Sequence, residues 1–242
     1  MKICAAQIRS IKGDVQANIA LHVDWINEAQ KQDIDLIFFP ELSITGYEPS
    51  LANELQTAID DIRFDIFQKL ADHNKMTICV GMAMSSNDKP FIGMLIFQPG
   101  KDRVVYHKQL IHEDEVPFFS NGSQQLYLDF DGIKFAMGIC YESTKRSHIE
   151  NAVNGGAQVY LSSVAKEANG IQKAFEHFPK VSKEFEVPVI MANGIGPADN
   201  FINAGKSAIW SREGVLVEHL DVETEGLLIY DSNQEIAKKV LK

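Results

Sequence analysis

The segment at residues 133–143 reads Ile-Lys-Phe-Ala-Met-Gly-Ile-Cys-Tyr-Glu-Ser and places a thiol at the end of an apolar run. The run at 133–139 predicts a buried strand. Ser147 and Glu150 have capping-box spacing and predict a helix soon afterwards. At such a transition a side chain projects beyond the sheet and backbone N–H groups can face an oxyanion. Cys140 is therefore a candidate nucleophile, with a small core residue as the alternative, because free cysteines are often buried.

Strands and helices are predicted along the whole chain in a mixed order. Further apolar or β-branched runs predict strands at residues 2–7, 35–39, 76–82, 92–97, 103–106, 125–130, 158–162, 187–192, 206–210, 214–219 and 226–230. Helical spacing of apolar residues predicts helices at residues 14–30, 60–71, 147–154 and 171–185, and Pro179 is expected to break or restart the last. This order favours mixed sheets with helices outside.

Composition excludes several classes of protein. The 242 residues are 45% hydrophobic and 23% charged, as in soluble globular proteins. The formal net charge of −10 and the lack of a long Lys/Arg run argue against nucleic-acid binding. No apolar run approaches the ~20 residues of a membrane span, and no secretory signal is expected. The three cysteines, Cys4, Cys79 and Cys140, fit neither a disulfide framework nor a zinc site, which favours a reducing, cytoplasmic setting.

A carboxylate follows the apolar strand predicted at residues 35–39. Pro40 ends that strand and Glu41 comes next. A carboxyl group at the edge of a sheet, with apolar neighbours, has a raised proton affinity and could act as a general base near neutral pH. The alternative is a solvated loop acid, since most glutamates are exposed.

A lysine follows the strand predicted at residues 103–106. The ammonium group of Lys108 offers three donors that could hold an oxyanion, and its charge would favour a nearby thiolate; a solvated lysine is the alternative. His107, His112 and the acids at 113–115 crowd the same segment, but no second ligand cluster completes a metal site. Phosphate-binding loops and dinucleotide fingerprints are absent from the sequence, so neither a metal nor a cofactor is expected.

These three residues, in this order, resemble the catalytic motifs of the nitrilase superfamily of carbon–nitrogen hydrolases, and its amidase-like branch in particular. The matching segments are Phe-Pro-Glu41-Leu, Tyr-His-Lys108 and Gly-Ile-Cys140-Tyr-Glu. Further similarity at residues 5–7, 154–157, 191–194 and 205–207 extends it over nearly the whole chain. The resemblance implies one carbon–nitrogen hydrolase domain over residues 1–242, an α/β four-layer α-β-β-α sandwich with mixed sheets, and a homodimer or higher homo-oligomer formed through a helical face.

The resemblance also implies an activity. Cys140 would attack a small amide and form a thioester, and the non-peptide carbon–nitrogen bond would be hydrolysed with Glu41 and Lys108 as partners. A fourth catalytic residue, usually a glutamate after the lysine, is expected at Glu115, with Glu113 still open. The expected substrate-binding residues are Tyr47, Tyr141 and Val164. An acyltransferase on the same scaffold and a non-catalytic interaction module remain alternatives.

Overall fold

Two mixed β-sheets lie face to face, and helices cover both outer faces. This computed structural model describes residues 1–130 and 132–241. The strands are β1 (Lys2–Gln7), β2 (Leu36–Phe38), β3 (Thr77–Met84), β4 (Phe91–Phe97), β5 (Val104–His107), β6 (Tyr127–Phe130), β7 (Ile133–Ile139), β8 (Val159–Val164), β9 (Val189–Asn193), β10 (Ile195–Ala198), β11 (Phe201–Ala204), β12 (Ala208–Trp210), β13 (Leu216–His219), β14 (Gly226–Asp231) and β15 (Ile236–Leu241). The α-helices are α1 (Val15–Gln30), α2 (Ala52–Leu55), α3 (Asp65–Asn74), α4 (Arg146–Asn154) and α5 (Ala168–Phe185).

The first sheet has the strand order β15-β14-β1-β2-β3-β4-β5, and the second has β13-β12-β9-β8-β7-β6. Strands β10 and β11 form a separate hairpin. Within the first sheet β1, β2 and β3 are parallel, and within the second β7, β8 and β9 are parallel. The predicted four-layer α-β-β-α arrangement with mixed sheets is confirmed.

Alternation of side chains along the strands builds the layers. In β1, Ile3 and Ala5 belong to the apolar cluster between the two sheets, whereas Cys4 and Ala6 belong to the cluster between the first sheet and helices α1 and α3. A third cluster joins the second sheet to α4 and α5. Both faces of the central strands are therefore buried, which explains why they read as continuous apolar runs.

Strand direction places the carboxyl ends of several strands at one edge of the first sheet. Strand β5 is antiparallel to β4, and β4 is antiparallel to β3, so β5 runs in the same direction as β2. The residues that follow β2 and β5, which include Glu41 and Lys108, are thus brought to the same edge. In the second sheet, Cys140 follows the end of β7 directly.

Two details of the predicted helices are wrong. Pro179 lies inside the continuous helix α5 and does not interrupt it. The N-cap of α4 is Lys145, and its end has no side-chain cap, so Ser147 and Glu150 do not form a capping box. Strands β10, β11 and β15 lie outside the runs from which strands are predicted. Within residues 1–130 and 132–241, no helix is both long and apolar enough to cross a membrane.

Candidate active site

Cys140 occupies a sharp turn at the end of β7. Its backbone has a φ of 48°, a left-handed conformation that few residues other than glycine adopt. The Cys140 N–H donates to the Ser163 carbonyl at 2.9 Å, and the thiol donates to the Ala165 carbonyl at 3.7 Å. The side chain is half-buried, whereas Cys4 and Cys79 are fully buried in the core. Cys140 is therefore the most accessible of the three thiols.

The loop that carries Glu41 is held against both sheets. The Phe39 N–H donates to the Cys79 carbonyl at 3.0 Å, within the first sheet. The Ser163 hydroxyl, from the second sheet, donates to the Phe39 carbonyl at 2.8 Å. Ser163 thus contacts both the strand end that leads to Glu41 and, through its own carbonyl, the N–H of Cys140. This residue couples the two halves of the site.

Lys108 binds two glutamates at once. Its ammonium nitrogen lies 2.7 Å from Glu41 Oε1, 2.7 Å from Glu115 Oε1 and 2.8 Å from Glu115 Oε2. All three side chains are at most 3% exposed. Three N–H groups facing three carboxylate oxygens use the full donor capacity of the lysine.

The charges of this cluster shift its acid–base behaviour. Burial raises the pKa of Glu41 to about 7, against the lowering effect of Lys108, and the charge of Glu115 raises it further. Burial opposes the charge on Lys108, but Glu41 and Glu115 outweigh it, so the pKa of Lys108 is raised. Lys108 stays an ammonium group, and Glu41 changes its protonation state near neutrality.

The Cys140 thiol lies close enough to Glu41 to lower the pKa of that carboxyl group. The second oxygen of Glu41, Oε2, is buried. Among the described residues it has no hydrogen-bond donor. Burial and the charge of Glu41 raise the pKa of Cys140 to about 11, while Lys166 and Lys108 lower it. The resting nucleophile is therefore a protonated thiol beside a carboxylate that can accept its proton.

Glu115 occupies the place expected for the fourth residue. Besides binding Lys108, it accepts hydrogen bonds from the Tyr47 hydroxyl at 2.9 Å and from the His112 N–H at 2.6 Å. Glu113, the alternative, is exposed. The structure thus brings Glu115, and not Glu113, next to Lys108.

A cavity of about 630 Å³ opens onto the thiol. Tyr47, Glu115, Cys140 and Tyr141 line it. Val164 does not: it is fully buried in the apolar cluster between the second sheet and α4 and α5, and its neighbour Ala165 lines the cavity instead. A second hollow of about 390 Å³ beside α5 is lined by none of the expected catalytic residues.

Sequence reasoning missed Glu142, a fully buried acid two residues after Cys140. Its Oε1 accepts from the Ile139 N–H at 2.8 Å and the Tyr106 hydroxyl at 2.6 Å. Its Oε2 accepts from the N–H groups of Gln109 at 2.6 Å and Leu110 at 3.0 Å. Glu142 thereby ties the turn at Cys140 to the segment that follows Lys108. Its sequence signal was its place in the segment Gly-Ile-Cys140-Tyr-Glu, which resembles the family motif but assigns the acid no role.

No group of three or more His, Cys, Asp or Glu side chains in the described part of the chain is placed to hold a metal ion. His112 pairs with Asp114 at 2.6 Å at the exposed rim of the cavity. The expectation that the protein needs neither a metal nor a cofactor stays a prediction.

Comparison with known proteins gives several similar chains. A mutant of the amidase from Nesterenkonia sp. AN1 in complex with butyramide is 23% identical, with a TM-score of 0.87 over 97% of this chain and 92% of its own. Another mutant of that amidase, with acrylamide added at its active-site cysteine, is 23% identical, with a TM-score of 0.86 over 96% and 92%. These likenesses establish the shared fold.

Curated sequences give a second set of relatives. The glutamine-dependent NAD(+) synthetase of Acinetobacter baylyi is 26% identical over 99% of this chain and 46% of its own length. The chain therefore spans about half the length of the synthetases it matches. A probable nitrilase of Schizosaccharomyces pombe is 23% identical over 95% of this chain and 87% of its own length.

The sequence model of the carbon–nitrogen hydrolase family matches residues 2–239. This match confirms both the predicted superfamily and the prediction of a carbon–nitrogen hydrolase enzyme. With nearly its whole length aligned to that model, the chain belongs to the carbon–nitrogen hydrolase family.

Proposed function

We propose that this protein hydrolyses the non-peptide carbon–nitrogen bond of a small amide through a thioester on Cys140. The observation that carries the proposal is the buried cluster of Glu41, Lys108 and Glu115 beside a half-buried thiol at one cavity. A cavity of about 630 Å³ suits a small molecule. Mutants of the Nesterenkonia amidase hold butyramide and acrylamide, and the synthetases are named as glutamine-dependent. All three compounds contain an amide group, which supports an amide as substrate.

The first step is attack by sulfur on the carbonyl carbon. Because the pKa of the thiol, about 11, lies above that of Glu41, about 7, the proton moves to Glu41 during the attack and not before it. The carbonyl oxygen becomes an oxyanion, which Lys108 and the Tyr141 N–H stabilise. Lys108 frees one N–H for this purpose by releasing one oxygen of Glu115.

The second step releases the amine and then the acid. When the tetrahedral intermediate collapses, the carbon–nitrogen bond breaks and Glu41 returns its proton to the leaving ammonia or amine. A thioester of Cys140 remains. Glu41 next takes a proton from water, whose oxygen attacks the thioester, and the proton goes back to the sulfur. The products are a carboxylic acid and ammonia or an amine, and Glu115 holds Lys108 in place throughout.

Mass spectrometry during a screen of amides tests the proposal. We expect an acyl adduct mapped to Cys140, and no adduct or hydrolysis with Cys140→Ala. Cys79→Ala, which removes a core thiol, is the control and should keep both. Lys108→Met should lower turnover by ~100- to 1000-fold, the effect of losing one oxyanion donor. Undiminished hydrolysis by Cys140→Ala would reject the nucleophile.

The same screen separates the two alternative functions. If the acyl group goes to an added amine in preference to water, the protein is an acyltransferase. If iodoacetamide labels no thiol faster than the others and no adduct forms with any amide, a non-catalytic interaction module fits better.

We also propose that the protein is cytoplasmic and forms a homodimer or a higher homo-oligomer. Three free cysteines support a reducing compartment. The dimer rests on the family resemblance. Light scattering of the purified protein should give twice the chain mass of 27.0 kDa or a higher multiple of it, and a monomer mass would contradict the proposal.

A further inference from the structure

A fully buried histidine lies in helix α1, outside the residues that the hydrolytic mechanism uses. His22 is 0% exposed. Its Nδ1 lies 2.6 Å from the Asn18 carbonyl oxygen, and its Nε2 lies 2.9 Å from the Ser43 hydroxyl. Burial lowers the pKa of His22 to about 3, so the ring is neutral at ordinary pH. A carbonyl oxygen can only accept, so Nδ1 carries the proton and the Ser43 hydroxyl donates to Nε2.

This serine–histidine pair is not a second nucleophile. Both side chains are at most 1% exposed, and they line neither the cavity at Cys140 nor the hollow beside α5. A substrate therefore cannot reach the Ser43 hydroxyl. Any role of the pair in the reaction runs through the residues that it touches.

His22 contacts the chain on both sides of Glu41. Its ring packs against the Phe39 ring with 4.2 Å between the centroids, and its partner Ser43 lies two residues after Glu41. Ser43 Oγ also accepts from the Gly81 N–H at 3.4 Å. The turn that carries Glu41, residues 40–45, is thus held from α1 as well as from β3.

Asn18 holds the same turn one residue further along the chain. Its Nδ2 donates to the Ile44 carbonyl at 3.0 Å and to the Ile11 carbonyl at 2.7 Å, and its Oδ1 accepts from the Ile11 N–H at 2.7 Å. The side chain is 0% exposed, and both N–H groups and the oxygen have partners. Because the Asn18 carbonyl accepts from His22, it also fixes the direction of the histidine ring. We call these two residues the α1 clamp.

The residue between Glu41 and Ser43 has a strained backbone. Leu42 has a φ of 52°, a left-handed conformation that is unfavourable for a bulky side chain. Such conformations persist only where the surrounding structure enforces them. The hydrogen bonds of the α1 clamp reach Ser43 and Ile44, directly after Leu42, so they help to enforce it. The direction in which the Glu41 side chain leaves the turn depends on that conformation.

The carboxylate oxygen that takes the thiol proton makes this direction important. Glu41 Oε1 is bound by Lys108 at 2.7 Å. Glu41 Oε2 is buried and has no hydrogen-bond donor among the described residues. Its position relative to the Cys140 thiol is therefore set by the Lys108 contact at Oε1 and by the backbone of the turn.

We propose that His22 and Asn18 are positioning residues that hold Glu41 where it can take the thiol proton. The inference rests on the proposed function, because it assigns these residues a part in the same reaction. Neither residue touches the substrate, so loss of the α1 clamp should lower kcat and change KM little. A purely structural role would lower stability and leave the thiol unaffected.

Two substitutions, the clamp variants, remove the contact between α1 and the turn. His22→Phe keeps a ring against Phe39 but loses both hydrogen bonds. Ser43→Ala removes only the hydroxyl and leaves α1 intact, so it keeps the test open if His22→Phe does not fold. For an amide found in the screen, we expect kcat to fall by ~10- to 100-fold in each variant, the effect of displacing a catalytic base by about an ångström.

Asp14→Ala is the matched control on the same helix. Asp14 is the exposed N-cap of α1, and its side chain accepts from the Ala17 N–H at 3.0 Å. Losing an N-cap destabilises the helix without removing a hydrogen bond to the turn that carries Glu41. Urea unfolding should show a loss of stability in the control and in both clamp variants, whereas kcat should fall only in the clamp variants.

The Cys140 thiol gives a second readout that needs no known amide. Burial and the charge of Glu41 raise the pKa of Cys140 to about 11. Lys166, Lys108 and Glu115 also act on the thiol, and none of them is changed in the variants. If Glu41 moves away, its charge acts less and the pKa of Cys140 falls. Iodoacetamide labelling mapped to Cys140 at pH 8 should therefore become ~10-fold faster in the clamp variants and stay unchanged in the control.

The outcomes separate this inference from the proposed function. If amides are hydrolysed but the clamp variants match Asp14→Ala in kcat and in labelling rate, the positioning role is overturned and the hydrolase proposal stands. If the unmodified protein hydrolyses no amide but the clamp variants are labelled faster, the hydrolase proposal fails and the control of Glu41 by α1 is supported. A lower kcat with unchanged labelling would place the defect away from Glu41 and Cys140 and would also overturn the inference.

Discussion

Glu142 accepts a hydrogen bond from the Gln109 N–H at 2.6 Å and thereby joins the second sheet to the first. Glu142 lies two residues after Cys140, and Gln109 directly follows Lys108. The nucleophile and the lysine belong to different sheets, so their separation depends on contacts between sheets. Two such contacts are the Glu142–Gln109 hydrogen bond and the hydrogen bond from Ser163 to the Phe39 carbonyl before Glu41. Together they fix the distances between the catalytic side chains of the two sheets.

Replacing Glu142 by Gln should loosen that connection. All four groups that bind the carboxylate are donors, and an amide offers only one oxygen, so its NH₂ group would face N–H or O–H donors. Buried donors left without partners cost ~1–3 kcal/mol of unfolding free energy. Urea unfolding should show that loss, and turnover should fall more than substrate binding, because Lys108 is displaced.

Glu150→Gln provides the control for this experiment. Glu150 accepts from Arg146 at 2.7 Å on the outer surface of α4, and such a pair contributes ~0.3–0.5 kcal/mol. It should leave turnover unchanged. If Glu142→Gln behaves like Glu150→Gln in both measurements, Glu142 does not position the site.

The pH dependence of hydrolysis should report the ionisation of Glu41. The pKa of this carboxyl group is raised by burial from 4.5 to about 7. The proton acceptor must be ionised, so kcat/KM should fall as the pH drops through about 7. Glu41→Gln should lose this dependence together with most of the activity. The exposed Glu113→Gln should retain the profile, and an acid limb near 4.5 would contradict the buried base.

Removing Lys108 should make stability depend strongly on pH. Lys108→Met leaves Glu41 and Glu115 buried without their cation, and breaking a buried ion pair costs ~3–5 kcal/mol. The folded-state pKa of Glu41, already above its unfolded value of 4.5, rises beyond about 7 without the lysine. Protonation therefore favours the folded state, and stability is lost as the pH rises from the unfolded pKa of 4.5 through the raised folded-state pKa above 7. Urea unfolding should give a larger deficit at pH 8 than at pH 5.

An exposed ion pair with a similar N–O distance serves as the control for the effect of burial. Lys31 lies 2.6 Å from Glu28, and its side chain is 68% exposed. Lys31→Met should cost less than ~1 kcal/mol and show little difference between the two pH values. Equal effects of the two substitutions would mean that the buried cluster does not carry the charges assigned to it.

Sequence alone located the parts of the site that directly follow apolar strands. Glu41, Lys108 and Cys140 each come within a few residues of such a run, and strand direction then brings them to the sheet edges. Glu142 could not be found in this way, because its significance comes from partners that are up to 36 residues away in the chain. Glu142 stands in the segment that resembles the family motif, but its role as a connection between the sheets follows only from those distant partners.

The errors in the fold have related physical causes. Within the described residues, strand β15 pairs with β14 alone and is largely exposed, so it lacks the apolar run of a central strand. Strands β10 and β11 have four residues each, β10 contains Pro197, and in the part of the chain described the two strands pair with each other alone. Pro179 is tolerated because Phe178 and other apolar residues bury one face of α5, and this packing outweighs the local cost of the proline.

The loop of Glu41 rests on a glycine that has no room for a side chain. A Cβ at Gly81, in β3, would lie 2.5 Å from the Pro40 carbonyl oxygen and 2.6 Å from the Leu42 nitrogen. Both are backbone atoms, so Gly81→Ala must push the loop away and carry Glu41 with it. We expect a loss of ~1–3 kcal/mol in unfolding free energy, as in other overpacked cores, and a marked fall in turnover.

Gly93→Ala, in the adjacent strand β4, is a matched comparison. Its Cβ would also collide with a neighbour, but that neighbour is the flexible side chain of Met84. The methionine can move, so Gly93→Ala should cost less stability and retain turnover. Urea unfolding and turnover should be measured for Gly81→Ala and Gly93→Ala under the same conditions. If both variants lose stability but turnover survives in Gly81→Ala, the position of Glu41 tolerates displacement, and its role as the base that receives the thiol proton is contradicted.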